Sequence, residues 1–343
     1  MVNINKLVRE NVRNLKPYSC ARDEFKGSDG VFMDANENPY GNLNRYPDPL
    51  QLELKGLVAG LRGINIEKIF LGNGSDEVID LCYRIFCKPG IDKALLFTPT
   101  YGMYEVSAAV NDIEIVKIAL NDSFQIDMER ARAIINDKTL KLIFICSPNN
   151  PTGNSMNHSD VEELIASFNG IVVIDEAYID FSAKSSFLPL VAKYQNLIVM
   201  QTFSKAFGLA AARIGMAFAD QSVIHYFNKL KYPYNISTIN QKAVIAKLGK
   251  RKKTLAEIKS IISEKERLVK LLGKMSIIKK VFPSDANFIL VKVKDADLIY
   301  NILIKEGIVV RNRSSVAENC LRITIGTRNE NNILIKALES VQI

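Results

Sequence analysis

The chain has 343 residues, of which 48% are hydrophobic and 24% are charged. This composition excludes a disordered or collagen-like protein, and the length corresponds to roughly two domains of about 150 residues each. No apolar run approaches the roughly 18 residues that a membrane span needs. Charges interrupt the N-terminal segment MVNINKLVRENVRNL, unlike a signal peptide. We therefore expect a cytoplasmic protein with no membrane partner.

Cysteine, histidine and basic residues limit the kinds of site that are plausible. The five cysteines are scattered without a C-x-x-C pair, and there are only two histidines. This pattern predicts a reducing compartment and no metal site. The net charge of +8 raises the question of nucleic acid. The densest basic run, Lys250–Lys253, opens an amphipathic stretch with charges of both signs, which favours a solvated helix face over a nucleic-acid partner.

Between about residues 69 and 219, short apolar runs alternate with helical patterns. This alternation predicts a mostly parallel sheet with helices on both faces and with its ligand sites at the carboxyl ends of the strands. The runs that read as strands are Ile69–Leu71, Ala94–Thr98, Ile113–Leu120, Leu140–Ser147, Gly170–Tyr178 and Asn196–Phe203. The last of these leads into Ala206–Ala219, which we expect to be helical.

The pattern changes after about residue 235. A long helical region runs to about Leu272, and it is followed by strands and helices that alternate over short distances. The predicted elements are a strand at Ala286–Val293, a helix at Asp295–Glu306, strands at Val309–Arg311 and Leu321–Ile325, and a terminal helix. We predict a large domain at residues 41–240, a smaller α+β domain at 241–343, and an N-terminal arm at 1–40 that joins the smaller domain.

Glycines and an amide follow two of the predicted strands. The segment Gly72–Glu77 (GNGSDE) lies between a strand and a helical pattern, where backbone N–H groups can approach a phosphate. A tight turn with Ser75 or Asp76 as the N-cap is the structural alternative. Asn150 lies in the turn signature SPNNPTG, which follows the run LKLIFIC.

Charged residues follow two further strands. Asp175 comes directly after IVVI, where it either caps a turn or pairs with a cationic group of a ligand. Lys205 lies just past another strand, and it is either a surface charge or an amine whose lowered pKa lets it attack a carbonyl. Four candidate sites at four strand ends are harder to attribute to coincidence than any single one.

Eight segments together resemble the histidinol-phosphate aminotransferase family of fold-type I pyridoxal-phosphate enzymes. They occur in that family's order over almost the whole chain: NENPYG (36–41), RYPDP (45–49), GNGSDE (72–77), PTYGMY (99–104), CSPNNPTG (146–153), IDEAYIDF (174–181), TFSKAFGLAAARIG (202–215) and CLRITIGTR (320–328). The resemblance implies an α/β fold-type I transferase with a large domain and a smaller α+β domain. It also implies pyridoxal 5'-phosphate as the cofactor and a homodimer.

The resemblance implies a reaction as well. An amino group would pass from L-histidinol phosphate to 2-oxoglutarate, giving imidazole-acetol phosphate and L-glutamate, in L-histidine biosynthesis. By motif position, Lys205 resembles the catalytic lysine that bonds to the cofactor aldehyde, and Asp175 resembles the partner of the protonated pyridine nitrogen. Tyr178 and Asn150 match the pair that hydrogen-bonds the ring's phenolate oxygen, and Tyr101 matches the residue that stacks on the ring.

Further residues match the family's phosphate and substrate contacts. The implied cofactor-phosphate contacts are Gly74, Ser75, Asp76, Thr202, Ser204 and Arg213. Tyr46 resembles the tyrosine that reaches the neighbouring subunit's cofactor phosphate. Arg322 resembles the arginine that grips a donor carboxylate, while Tyr18 and Arg311 match positions at the phosphate end of the substrate. Asn150 is also expected to contact the substrate.

Other functions remain open from the residues alone. An aromatic aminotransferase or a threonine-phosphate-type decarboxylase would use the same cofactor and differ in a few pocket contacts. A nucleotide-binding oxidoreductase would use Gly72–Gly74. However, this segment lacks the third glycine of the dinucleotide-binding fingerprint, and that function would leave Lys205 unexplained. A basic nucleic-acid module would use Lys250–Lys253.

Overall fold

The larger part of the molecule is built on a seven-stranded sheet, in a computed structural model that describes residues 2–18 and 30–341. Its strands are β1 (Ile69–Asn73), β2 (Lys93–Thr98), β3 (Glu114–Ala119), β4 (Leu140–Cys146), β5 (Ile171–Asp175), β6 (Leu197–Thr202) and β7 (Ile214–Ala219). They lie in the order β1-β7-β6-β5-β4-β2-β3. Strand β7 is antiparallel to both of its neighbours, and the other neighbouring pairs are parallel. Six strands therefore end at one edge, where β7 begins.

Helices cover both faces of this sheet. Their bounds are α1 (Ile4–Leu7), α2 (Glu10–Asn14), α3 (Leu52–Arg62), α4 (Ser75–Phe86), α5 (Met103–Val110), α6 (Met128–Ile134), α7 (His158–Ser167), α8 (Gln221–Leu230) and α9 (Thr238–Leu248). Leu54 of α3 and Leu164 of α7 belong to the core on one face. Val78 of α4 and Phe227 of α8 belong to the core on the other face. The prediction of a mostly parallel sheet between two helical layers is confirmed.

A second, antiparallel sheet follows in the chain. Its strands are β8 (Ile278–Val281), β9 (Phe288–Val293), β10 (Arg311–Asn312) and β11 (Cys320–Thr324), in the order β10-β11-β9-β8. It packs with the helices α10 (Arg251–Leu272), α11 (Ala296–Lys305) and α12 (Arg328–Glu339) around a core of its own. Helix α10 contributes Ile258 to the core of the large sheet and Leu268 to the core of the small one. The long helix therefore joins the two parts.

Residues 206–219 form no α-helix, so the sequence prediction for this stretch is wrong. They contain a single 3-10 turn at Ala210–Ala212 and then β7, every residue of which is buried between β1 and β6. Burial on both faces gives a strand the same continuous apolar pattern that a buried helix has. Gly215 permits this placement, because a Cβ there would lie 2.3 Å from the backbone nitrogen of Ser75.

The N-terminal helices pack on the large sheet, whereas the sequence prediction joined residues 1–40 to the smaller domain. Ile4, Val8 and Val12 are buried in the core that contains α4 and α8. Ile4 begins α1, Val8 follows it and Val12 lies in α2, so each short helix directs apolar side chains to this core. Residues 19–29 of the predicted arm lie outside the described residues, and the boundaries at 40 and 240 stay predictions. Within the described ranges, no helix is long and apolar enough to cross a membrane.

Candidate active site

A cavity of about 380 Å³ lies at the ends of β1, β2, β4, β5 and β6 of the large sheet, and residues of β10 and β11 and of the loop after β10 in the small sheet also line it. The predicted site residues that line it are Ser75, Asp76, Tyr101, Asn150, Asp175, Tyr178, Thr202, Ser204, Lys205, Arg213, Arg311 and Arg322. The cavity is also lined by Arg313, which the sequence analysis did not single out. Residues from seven separate segments of the chain thus converge, as the positions of the strand ends predicted.

Lys205 lies in the loop after β6 and lines the cavity. Its Nζ lies 5.8 Å from the centre of the Tyr178 ring. Partial removal from water lowers the pKa of Lys205, and the positive charge of Arg322 lowers it further. A lowered pKa increases the fraction of free amine near neutral pH, which is the form that attacks carbonyl groups.

Asp175 is the last residue of β5, and it is 3% exposed. Its carboxylate accepts hydrogen bonds from the hydroxyl of Tyr104 at 2.7 Å and from the backbone nitrogen of Ala177 at 3.0 Å. Burial raises the pKa of Asp175, while these two hydrogen bonds act in the opposite direction. A buried carboxylate that is held in one orientation is suited to pair with a cationic group of a ligand.

The N-terminus of α4 forms a cradle for an anion. Gly74 is its N-cap residue and provides no capping side chain, so neither Ser75 nor Asp76 fills that position. Gly74 adopts φ +80°, and a Cβ there would lie 2.5 Å from Nη2 of Arg213. Backbone N–H groups at a helix start, with a nearby guanidinium, are what a phosphate group requires. Thr202 and Ser204 border the same end of the cavity.

Two polar contacts hold the side chains around this cradle. Asp76 accepts from Nη2 of Arg213 at 3.1 Å and from the hydroxyl of Tyr101 at 3.3 Å. The Tyr101 ring meets the Tyr104 ring edge to face, with centroids 5.5 Å apart. Tyr101 is thereby fixed at the cavity wall, with its hydroxyl directed towards the start of α4.

Residues from both sheets meet at the opposite wall. Arg322 of β11 donates from Nη1 to Oδ1 of Asn150 at 2.5 Å, and Asn150 donates from Nδ2 to the Tyr178 hydroxyl at 3.4 Å. The guanidinium of Arg322 lies 5.3 Å from the centre of the Phe288 ring. The same ring packs edge to face against Tyr178. Phe288 therefore supports both residues, although no sequence motif indicated it.

Tyr18 and Tyr46 do not line this cavity. Tyr18 is 74% exposed, near the end of the first described range. Tyr46 stacks on Tyr234 with ring centroids 4.4 Å apart and lines a separate cavity of about 470 Å³. Within one chain, the structure therefore does not bring these two tyrosines together with Lys205.

Positive charge dominates the lining of the cavity. Lys205 and four arginines line it, against the two carboxylates of Asp76 and Asp175. In the part of the chain that the structure describes, no three His, Cys, Asp or Glu side chains are grouped to hold a metal ion. The site is built to hold anionic molecules next to an amine of lowered pKa.

Comparison with known proteins gives the class. The family model described as aminotransferase class I and II matches residues 26–338, and the chain belongs to this family. The solved structure of the histidinol-phosphate aminotransferase from Clostridium acetobutylicum superposes with a TM-score of 0.79 at 26% identity, covering 87% of this chain and 90% of that chain. The predicted fold-type I architecture is thus confirmed.

The curated relatives are more specific. A histidinol-phosphate aminotransferase from Parabacteroides distasonis is 50% identical over 346 residues, covering 100% of both chains. A structure of a histidinol-phosphate aminotransferase from Sinorhizobium meliloti in complex with pyridoxal-5'-phosphate shares the fold, with a TM-score of 0.80 at 24% identity over 89% of this chain and 88% of that chain. Within its class, the chain is therefore a member of the histidinol-phosphate aminotransferase family, as the motifs predicted.

Proposed function

We propose that this protein transfers an amino group from L-histidinol phosphate to 2-oxoglutarate with pyridoxal 5'-phosphate, in L-histidine biosynthesis. The observation that carries the proposal is the amine of Lys205, with its lowered pKa, in a cavity that also holds Asp175 and an anion cradle. The full-length identity of 50% to a histidinol-phosphate aminotransferase supports the choice of substrate.

The cavity has a suitable group for each part of this cofactor. When bound, pyridoxal phosphate supplies an aldehyde that condenses with amines and a protonated ring that withdraws electrons. The start of α4 and Arg213 would hold the phosphate, and Asp175 would keep the ring nitrogen protonated. Asn150 and Tyr178 would donate hydrogen bonds to the ring's phenolate oxygen, and Tyr101 would pack on the ring face.

Lys205 has two tasks in the proposed reaction. Its amine would hold the cofactor through the aldehyde until the amine of the substrate takes that place. The Lys205 amine would also act as the general base that removes the proton from the substrate carbon bearing the nitrogen, and then as the general acid that gives a proton back. The repulsion by Arg322 assists the first task, because it favours the uncharged amine.

The arginines of the small sheet give the proposed substrates their orientation. Arg322 would bind a carboxylate of glutamate with its two-pronged guanidinium, for which lysine has no equivalent. Arg311 lies directly across from Arg322 in the β10–β11 register and would bind the phosphate of L-histidinol phosphate. Tyr18 would contribute at the same end.

We further propose a cytoplasmic homodimer in which Tyr46 reaches the cofactor phosphate of the neighbouring subunit. Tyr46 is 51% exposed in the single chain, and its neighbours Tyr40 and Leu43 are 84% and 68% exposed. Three exposed, largely apolar side chains within seven residues of the chain are typical of an interface segment. The four cysteines in the described ranges are free, which is expected in a reducing compartment.

The test is a half-reaction. Protein loaded with pyridoxal phosphate and mixed with L-histidinol phosphate should lose its visible absorbance band and regain it on addition of 2-oxoglutarate. Lys205→Ala should lack the band of the covalently bound cofactor and lose at least about a thousandfold in kcat, since its nucleophile and its base are one group. Lys193→Ala, which removes an exposed lysine paired with Glu162, is the matched control.

Two results would overturn the proposal. The first is wild-type protein that leaves L-histidinol phosphate unchanged and instead releases carbon dioxide from a phosphorylated amino acid. The second is a borohydride-reduced adduct that peptide mapping places on a lysine other than Lys205.

A further inference from the structure

One face of the small sheet presents three arginines to the cavity. Arg311 of β10 lies opposite Arg322 of β11, and the next ladder contact runs from the backbone nitrogen of Arg313 to the carbonyl of Cys320 at 2.8 Å. Side chains two residues apart on a strand share a face. Arg313 therefore lies on the same face as Arg311 and Arg322, and all three line the cavity.

Arg313 has no counter-charge in the described residues. No hydrogen bond or ion pair to its side chain is found there, and its Nε is buried without a partner. The two carboxylates that line the cavity are engaged elsewhere, because Asp76 pairs with Arg213 and Asp175 accepts from Tyr104. Arg313 as a whole is half-buried, and a guanidinium partly removed from water only for structural reasons would normally be paired.

The cluster is electrostatically costly without a ligand. Like charges on facing strands repel each other, and partial burial strengthens the repulsion. Burial lowers the pKa of Arg313, and the charges of Arg322 and Arg311 lower it further. An anion bound among the three guanidinium groups would remove this repulsion.

The chemistry of the cluster selects a dianion. Arg322 is held by Asn150 and Phe288, and that arrangement suits a single carboxylate. Arg311 and Arg313 together offer two further planar forks, which a phosphate ester can fill because it has three terminal oxygens. A second negative charge roughly doubles the attraction to each guanidinium.

We propose that Arg313 is a specificity-determining residue that binds the phosphate monoester of the substrate alongside Arg311 and favours this dianion over a monoanionic carboxylate. The inference rests on the proposed function, because it assumes that a phosphorylated amine and glutamate share the cavity. It assigns Arg313 to the substrate's phosphate, whereas Arg213 and the start of α4 serve the phosphate of the cofactor.

The experiment compares Arg313→Gln with wild type on both substrates. We expect kcat/KM for L-histidinol phosphate to fall about 10- to 100-fold, the usual loss for one charge-assisted contact, and kcat/KM for glutamate to change less than about threefold. The kcat/KM of Arg313→Lys for L-histidinol phosphate should lie between those of Arg313→Gln and wild type, because lysine keeps the positive charge but lacks the planar, two-pronged guanidinium. Arg251→Gln, an exposed arginine at the start of α10, controls for the change in net charge.

A second measurement is binding of inorganic phosphate to the cofactor-loaded protein, followed as competitive inhibition and by calorimetry. Arg313→Gln should weaken it about tenfold, and Arg251→Gln should leave it unchanged. If Arg313→Gln lowers kcat/KM equally for both substrates, or binds inorganic phosphate as tightly as wild type, the role proposed for Arg313 is wrong. If wild type fails to convert L-histidinol phosphate, the proposed function is wrong, and phosphate calorimetry still decides the role of Arg313.

Discussion

Asp175 depends on Tyr104, a residue of the segment PTYGMY to which the sequence analysis assigned no role. Tyr104 is fully buried, and its hydroxyl donates to Oδ2 of Asp175 at 2.7 Å. Its ring also stacks on Phe144 with centroids 5.0 Å apart, so the hydroxyl has one fixed direction. The proposed pairing of Asp175 with a cationic ring requires the ionised carboxylate, and Tyr104 favours that form against the effect of burial.

Tyr104→Phe should therefore change the pH dependence of the reaction. Removal of the hydroxyl raises the pKa of Asp175 beyond the increase that burial already causes. The carboxylate is then lost at a higher pH as the solution is acidified, so the acidic limb of the kcat profile moves to higher pH. We expect kcat near pH 6 to fall about tenfold and to recover as the pH rises.

Tyr83→Phe is the matched control for this substitution. The Tyr83 hydroxyl is equally buried, but it donates to the backbone carbonyl of Tyr104 at 3.0 Å. Its removal costs a buried hydrogen bond without touching Asp175, so stability should fall while the pH profile keeps its position. Identical acidic limbs in the two variants would show that the contact between Tyr104 and Asp175 has no role in the reaction.

At this scale, the sequence predicted roles for residues that follow an apolar run, and it assigned none to residues whose roles depend on neighbours in space, even where, as with Tyr104, the residue lies in a quoted segment. Lys205, Asp175 and Asn150 are recognisable because each follows an apolar run. Arg313 and Phe288 depend on which strands pair and in what register, and the sequence of a two-residue strand such as β10 does not specify this. The role of Tyr104 depends on the direction in which its hydroxyl points, from α5 to Asp175 at the end of β5.

The junction between β1 and α4 is where one backbone conformation decides the site. Gly74 combines φ +80° with ψ 166°, a backbone conformation that residues other than glycine rarely adopt. The side chain of Arg213 packs against Gly74. Arg213 itself has φ +50°, so both sides of the cradle are in unusual backbone conformations. The position of the guanidinium therefore depends on the absence of a side chain at residue 74.

Gly74→Ala should weaken cofactor binding. The added methyl group would occupy the place of Nη2 of Arg213, which lies only 2.5 Å from the ideal Cβ position. We expect the guanidinium to be displaced, the apparent Kd for pyridoxal phosphate to rise at least about tenfold, and stability to fall by about 1–3 kcal/mol. Titration of the cofactor-free protein, followed by absorbance, measures the affinity.

Gly63→Ala separates backbone strain from this contact. Gly63 has φ +65°, but a Cβ there would have no atom within 4 Å. The substitution Gly63→Ala should lower the free energy of unfolding by about 1–2 kcal/mol and leave the affinity for the cofactor unchanged. Unchanged affinity in Gly74→Ala as well would contradict the role assigned to the cradle.

Element types were predictable wherever the pattern of apolar residues had one reading. The strands from β1 to β6 have apolar runs bounded by turn signals, and all six lie within a few residues of their predicted positions. The run IGMAFA of β7 fits a buried helix equally well, and only the gap between β1 and β6 decides in favour of a strand. The apolar residues of α1 and α2 likewise do not reveal which sheet these helices cover.

At the scale of the whole molecule, α10 joins the two parts because it runs through both cores. Ile258 is 7% exposed against the large sheet, and Leu268 is fully buried against the small one. Lys265, between them on the helix, donates to the backbone carbonyls of Ser284 and Ala286 at 2.7 and 3.0 Å. The helix thus also fixes the loop that precedes β9, the strand that begins with Phe288.

Ile258→Ala and Leu268→Ala should each lower the free energy of unfolding by about 2–5 kcal/mol, because each leaves a cavity in a packed core. Since one helix belongs to both cores, we expect a single unfolding transition that shifts as a whole in urea, followed by circular dichroism and calorimetry. Leu255→Ala, on the same helix at 49% exposure, should lower the free energy of unfolding by less than about 1 kcal/mol. Two separate transitions, with only one displaced, would contradict this coupling.

The reversed strand has a consequence for synthesis of the protein. In the sheet as described, β1 borders β7 alone, so Asn73 finds its ladder partner Ile214 only after some 140 further residues have left the ribosome. Pairing across so long a stretch of chain is slow, because loop closure must precede the contact. The nascent polypeptide therefore lacks the complete proposed cradle until β7 emerges and inserts, and a ribosome stalled before residue 219 would carry a chain without a finished site for pyridoxal phosphate.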